Sequence, residues 1–160
     1  MSHSVDHAEI KLGQLLTIGM AVLAIYTGST QWLIALGVIF LISGTYRPLS
    51  PFVMLYKIIG PLKLIKSDYR LDNIQPHKFG QLIGALTVLI AVLLIENNLA
   101  IAGWGVSWVL IGLTAISFAG WCIGCFMYYQ LNRLGLGGFF KHKPTDDSVL
   151  PGQRPTKKVS

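Results

Sequence analysis

Three stretches of this chain carry no charged side chain: residues 12–46, 79–95 and 97–132 contain no Asp, Glu, Lys or Arg. Elements of a water-soluble domain need charged faces, and about a quarter of the residues in such a domain are charged. Here only 12% are charged and 52% are hydrophobic, with mean hydropathy +0.57. So much apolar surface needs lipid as its solvent. The net charge of +6 does not point to nucleic acid, because the basic residues flank the apolar runs, where they meet headgroups, and no nucleic-acid module is present.

The runs divide into crossings. Residues 12–46 are too long for one span, and Gly28-Ser29-Thr30-Gln31 supplies turn chemistry in the middle. A first helix is expected over about residues 9–27 and a second over about 31–45, each just reaching across a core of ~30 Å at ~1.5 Å per residue. A re-entrant hairpin that does not cross is the alternative for these two. A third helix is expected over about residues 77–95. A fourth begins between Leu99 and Trp104 and runs unbroken to about Leu131. Between the second and third, Ser50-Pro51 reads as an N-cap and first helical residue. Phe52, Leu55, Tyr56 and Ile59 then form a stripe, and Gly60-Pro61 is a stop. This is the pattern of a short interfacial helix, with Lys63, Lys66 and Arg70 after it facing anionic lipid. Trp104 and Trp108 suit one membrane interface, and Tyr128 and Tyr129 the other.

The fold class is therefore all-α: an integral membrane bundle of four transmembrane helices with an interfacial helix in one loop. Residues 1–134 form the membrane domain, and 135–160 a flexible basic tail. The N-terminal segment lacks a basic n-region and reads as retained. Loop 46–78 carries six basic residues and the tail from Arg133 another six, while turns 28–31 and 96–98 carry none. The positive-inside rule then places loop, tail and N-terminus in the cytoplasm, with the protein in the inner (plasma) membrane.

Chemistry is sparse. No span holds a deep charge, which argues against a proton-coupled pump. Gln14, Thr17, Gln81, Thr87, Ser107, Thr114 and Ser117 are expected to hydrogen-bond between helices. No phosphate loop, nucleophile elbow or zinc-protease motif is present, and no cofactor is expected. The only cysteines are Cys122 and Cys125. On one continuous helix, three apart, both thiols share a face near its cytoplasmic end. Such a pair can form a disulfide, bind a soft metal or carry persulfide sulfur. His77 enters the third helix at the same depth, so Cys122, Cys125 and His77 form the alternative metal set. The opposing reading is that two compact cysteines pack in a helix interface beside Gly120 and Gly124. His3, Asp6 and His7 are too loosely arranged to argue for a site.

Three motifs carry a resemblance. Arg47-Pro48-Leu49-Ser50-Pro51 with Leu55-Tyr56, then Pro76-His77-Lys78-Phe79 with Gln81, then Cys122-Ile123-Gly124-Cys125-Phe126 with Tyr128 resemble, in this order, the bacterial integral membrane family of domain of unknown function 4395. The likeness runs from about residue 5 to 133. Members are similar in having four predicted spans and a Cys-x-x-Cys late in the last. Some occur fused to or beside thioredoxin-like or rhodanese-like proteins. The resemblance implies thiol or sulfur traffic at the cytoplasmic face through Cys122 and Cys125, with such a protein as partner. Pro48, Pro51, Pro76 and His77 are motif positions of unassigned role. The expected function is thus thiol redox or sulfur relay. The alternatives are a non-catalytic assembly subunit packing through Gly80-xxx-Gly84 and Gly120-xxx-Gly124, or a small-solute facilitator. Four short helices enclose little interior, so a homodimer is a further expectation.

Overall fold

The computed structural model describes residues 3–59, 68–134 and 150–153. Among the described residues six α-helices run in order: α1 (His7–Thr27), α2 (Thr30–Thr45), α3 (Pro51–Ile59), α4 (Ile74–Glu96), α5 (Ala100–Ala119) and α6 (Ile123–Arg133). A 3-10 turn, Arg47–Leu49, precedes α3. One small antiparallel ribbon joins β1 (His3–Asp6) to β2 (Tyr69–Asp72), with His3 opposite Asp72 and Asp6 opposite Tyr69.

Local chemistry sets the helix ends. Asp6 caps α1 by accepting the Ala8 N–H, and Asn73 caps α4 by accepting the Gln75 N–H. Gly28 closes α1 in the left-handed region at φ 63°, a conformation that costs glycine little.

The packing is that of a bundle meant for lipid. Its centre holds small residues (Ala21, Ala24, Ala85, Ala91) with Leu33, Leu36, Phe40, Val88 and Leu110, while Leu15, Ile34, Val38, Leu86, Leu89, Leu93, Ile101 and Val109 point outward. Large apolar side chains outside and small ones inside allow helices to approach closely in a solvent as apolar as leucine. Three helices, α1, α4 and α5, are long and apolar enough to cross a membrane. The shorter α2 has 16 residues, about 24 Å at 1.5 Å per residue, so its own length does not establish a fourth crossing. It nevertheless runs antiparallel along α4: Thr30 meets Glu96 at one end, Phe40 packs on Gly84 midway, and Lys78 Nζ donates to Thr45 O at the other.

Several sequence expectations are redirected. The fourth helix is broken: α5 ends at Gly120, whose φ of 118° puts it in the left-handed region, and Trp121-Cys122 is extended before α6 begins. Ser50 stands directly before Pro51, the first residue of α3, as expected, and its hydroxyl also bonds Ser43 at 2.6 Å inside the protein. Beside it Phe52 and Val53 are buried, so α3 is tied to the bundle along one face, with Met54 and Ile58 exposed. Among the described residues, Gln14 and Ser117 bond between helices as expected, at 2.7 Å. Thr17, Thr87, Ser107 and Thr114 turn back to carbonyls one turn earlier, satisfying themselves within their own helix. The glycines proposed for assembly are used internally: Gly84 faces Phe40, and Gly80 meets Gly124 backbone to backbone. Tyr128 and Tyr129 are buried against Phe79 and the cysteines. Arg70 pairs with Asp68 instead of facing lipid, and Lys63, Lys66 and the Gly60-Pro61 stop lie outside the described residues.

Candidate functional site

The break between α5 and α6 changes what the cysteines are. Cys122 is the N-cap of α6 and its sulfur accepts the Cys125 N–H at 3.2 Å. The Cys125 thiol in turn donates to the Cys122 sulfur at 2.6 Å. The pair is not on one face of a long span but at the start of an amphipathic helix of 11 residues, about 16 Å long and too short to cross. Free N–H groups at a helix start favour negative charge there. Both cysteines are free thiols, Cys122 half-buried and Cys125 buried.

His77 lies beside them in the first turn of α4, with Nδ1 3.6 Å from the Cys125 sulfur. Its other nitrogen, Nε2, sits 3.0 Å from Asp72 Oδ2. His7 Nε2 reaches the same oxygen at 3.1 Å, within ion-pair distance but without hydrogen-bond alignment. The Asn73 N–H donates to the other carboxylate oxygen at 2.7 Å. The result is a chain of contacts Asp72–His77–Cys125–Cys122 in which a carboxylate orients an imidazole and the imidazole faces a thiol, the arrangement that tunes an activated nucleophile or a metal ligand. His77 and the two cysteines each offer one donor atom, and these lie within 4.8 Å of one another.

The electrostatics separate the two thiols. The hydrogen bond from Cys125, working against desolvation, and then His77 and the Cys125 N–H pull the Cys122 thiol well below its ordinary range. The same hydrogen bond, burial, and the charges of Cys122 and Asp72 push Cys125 well above it. Burial alone would raise Asp72, but the two imidazoles and the Asn73 N–H outweigh it and hold the carboxyl far below the usual carboxylate range. A small polar hole of about 30 Å³ lies among His7, Asp72, His77, Cys122, Cys125 and Tyr129, room for about one water molecule.

Sequence distance hides how the site is held. Asp6 accepts from Ala8 N and Asp68 N, both at 3.0 Å, and from Tyr56 OH at 2.5 Å, so one carboxylate ties together α1, α3 and the start of β2. The β1–β2 ribbon then sets Asp72 next to His7 and His77. From the far end of the chain, Gly152 O accepts the Cys122 N–H at 2.8 Å and Gln153 pairs with Trp121. Four residues of the tail thus lie across the Cys-x-x-Cys. Of the residues singled out from sequence, Cys122, Cys125 and His77 come together. Asp72 and Gly152 were not anticipated, and His7, set aside from sequence as too loosely arranged, joins the site through Asp72; the Ile74-Gln75-Pro76-His77 helix start directly after Asp72-Asn73 was the one local signal for Asp72.

Residues 5–133 match the domain of unknown function 4395. The chain belongs to that family. The match takes in Asp6, His7, Asp72, His77 and both cysteines, while the first half of β1 and the strap at Gly152 and Gln153 lie outside it. No curated protein and no solved structure matches the chain.

Proposed function

We propose that this protein is a membrane-embedded thiol–disulfide exchange or sulfur-relay protein. Cys122 is the attacking sulfur, Cys125 the resolving one, His77 the group that takes the Cys125 proton, and Asp72 the residue that orients His77. The observation that carries this reading is the N-cap position of Cys122 with Cys125 at 2.6 Å and His77 behind it. A thiolate is favoured at such a helix start, and the two sulfurs need to approach by only about half an ångström to reach the ~2.05 Å of a disulfide. In exchange with a partner disulfide, the Cys122 thiolate attacks one partner sulfur and forms a mixed disulfide. Cys125, its proton passed to His77, then attacks the Cys122 sulfur, and the partner leaves as a dithiol with two electrons from the pair. Half-buried Cys122, nearer water than Cys125, suits it to the first attack.

The proposed topology is four crossings, with α2 as the short fourth, in the inner membrane. The start of α1, the end of α2, the start of α4 and the end of α5 lie at the end of the bundle that carries the site. Lys11, Arg70, Lys78 and Arg133 gather there, whereas the turns at the other end carry only Glu96. By the positive-inside rule the site faces the cytoplasm with both termini, where a thioredoxin-like or rhodanese-like protein can reach it.

The test is the redox state of Cys122 and Cys125 in native membranes, trapped by acid quench and mass-tagged alkylation across thiol–disulfide buffers. A reversible two-electron transition, or trapped persulfide, supports the proposal. Thiols that stay reduced and unreactive until denaturation make them packing residues and end it.

A soft metal on His77, Cys122 and Cys125 is the second reading, favoured by the clustered donor atoms and the Asp72–His77 pair behind them.

A further inference from the structure

Next to the dithiol the bundle holds a partly open cavity of about 210 Å³. Its wall is mostly apolar and comes chiefly from the three helices long enough to cross a membrane: Gln14 on α1, Thr87 on α4, and Leu110 and Ser117 on α5 line it, and His77 and Cys122 stand at its edge. We propose that this cavity takes the ring of a lipid-soluble quinone, to which Cys122 and Cys125 pass two electrons. The inference rests on the dithiol reading and names the oxidant for it.

Size, solvent and donors all select this occupant. A dry cavity of about 150 Å³ holds benzene, so the space here suits one substituted six-membered ring and is too small for a peptide. Mostly apolar walls in the lipid-spanning part of the bundle admit a ligand that partitions into the membrane, and the charged lining residues Glu9 and Lys78 belong to the first turns of α1 and α4. Gln14 supplies the specific contact. Its Nε2 donates to Ser117 at 2.7 Å, while its Oε1 is buried with no hydrogen-bond partner. A buried acceptor left unmade is costly, and a hydroquinone O–H is the donor it lacks. Gln14, Ser117, His77 and Cys122 line both this cavity and the small polar hole behind the dithiol, so the electron and proton routes share the same residues.

The balance closes with no other co-reactant. The Cys122 thiolate adds to the quinone ring. Cys125 gives its proton by way of His77 and attacks the Cys122 sulfur, forming the S–S bond and breaking the C–S bond. The bonding pair stays on the ring and the two thiol protons end on its two oxygens. Dithiol plus quinone gives disulfide plus hydroquinone.

The test uses the reduced full-length protein in nanodiscs under anaerobic conditions, with a short-chain benzoquinone and, in parallel, with diamide as a water-soluble thiol oxidant. One hydroquinone formed per Cys122–Cys125 disulfide is expected, with none from Cys122→Ser. Thr87→Phe, which puts a ring into the cavity, is expected to lower the ratio of quinone rate to diamide rate roughly a hundredfold. Should that variant fail to insert, an azidoquinone photolabel on the wild type is expected on α1, α4 or α5 peptides lining the cavity. Oxidation by diamide without oxidation by quinone overturns the inference and leaves the dithiol reading standing, whether or not the label enters; labelling alone makes the cavity a hydrophobic-ligand site. Oxidation by neither reagent removes both.

Discussion

Asp72→Asn is the perturbation that most directly separates an oriented proton acceptor from a structural contact. The change keeps shape and the Asn73 N–H contact at 2.7 Å but replaces an acceptor at Oδ2 with an amide donor. In the wild type Oδ2 receives His77 Nε2–H at 3.0 Å, so in the neutral ring, the form that can take a proton, Nδ1 faces Cys125 at 3.6 Å as a lone pair. With an amide N–H in that place, the favourable tautomer turns Nε2 into the acceptor and puts the hydrogen on Nδ1, facing a thiol that must lose its own proton. A positioned base contributes about 10²–10⁴-fold, and a 3.6 Å contact argues for the lower end, so resolution of the mixed disulfide should slow about a hundredfold at pH 7. The fold also loses a carboxylate that is 8% exposed and paired with two imidazoles; breaking such a buried pair costs about 3–5 kcal/mol. The assay is single-turnover reaction with a chromogenic aromatic disulfide, with mixed disulfide on Cys122 trapped by acid quench. Accumulation of that species, with first attack by Cys122 little changed, is the expected result. Resolution within threefold of wild type, in a variant that inserts normally, would refute the assignment of His77 and Asp72.

Other consequences are as direct. Because the Cys125 hydrogen bond is the largest influence lowering Cys122, Cys125→Ala should move the midpoint of Cys122 alkylation against pH upward, with Cys125→Ser between; an unmoved midpoint contradicts the hydrogen bond. A depressed Asp72 makes a stabilising contribution that is complete above its ordinary value of 3.8 and is lost as pH falls through the lower folded value, so wild-type melting should decline steeply below about pH 4 and Asp72→Asn should show a flatter profile. Gly124→Ala puts a Cβ 2.6 Å from the Gly80 Cα, where only backbone can yield; a loss of about 1–3 kcal/mol and slower closure of the Cys122–Cys125 disulfide are expected. Gly152 holds φ +88°, and a Cβ there falls 2.8 Å from Cys122 O and 2.9 Å from Phe126 Cβ, so Gly152→Ala should lift the strap and speed alkylation of Cys122 without lowering membrane insertion.

The bundle was legible because lipid imposes a one-dimensional signal. Charge-free runs and the turn at Gly28-Ser29 placed α1 and α2 within two residues of their observed bounds, and Ser50-Pro51 located α3. The break in the last helix was less legible, for a reason that can be named. Gly120-Trp121-Cys122 carries no proline and no charge, and glycine is common inside membrane helices for packing, so its use here as a left-handed stop shows only in the backbone. From that one residue follow both the N-cap role of Cys122 and the difference between the thiols. The carboxylate and the strap were illegible for another reason: Asp72 meets His7 only because a four-residue ribbon closes across 62 or more positions of sequence, and no local periodicity reports such a pairing.

That geography explains why a membrane bundle is a suitable base for a dithiol. The helices are held by close approach of small groups, with Gly80 against Gly124 and Phe40 against Gly84, so α4 is fixed against both α2 and α6. His77 on α4 and Cys122 at the start of α6 therefore keep their spacing without any covalent link between them. The polar part of the site (Asp6, His7, Asp72) stands on the ribbon and helix starts at the bundle end, where buried carboxylates find N–H groups and imidazoles, and the spans are left free of charge. Were the cysteines mere packing atoms, neither the carboxylate behind His77 nor the N-cap sulfur would be needed; alanine at both positions would fill the same space without bringing a buried carboxylate and two histidines together. Cys122→Ala with Cys125→Ala should accordingly leave folding and insertion close to wild type while abolishing exchange. Equal loss of both would show the thiols to be structural.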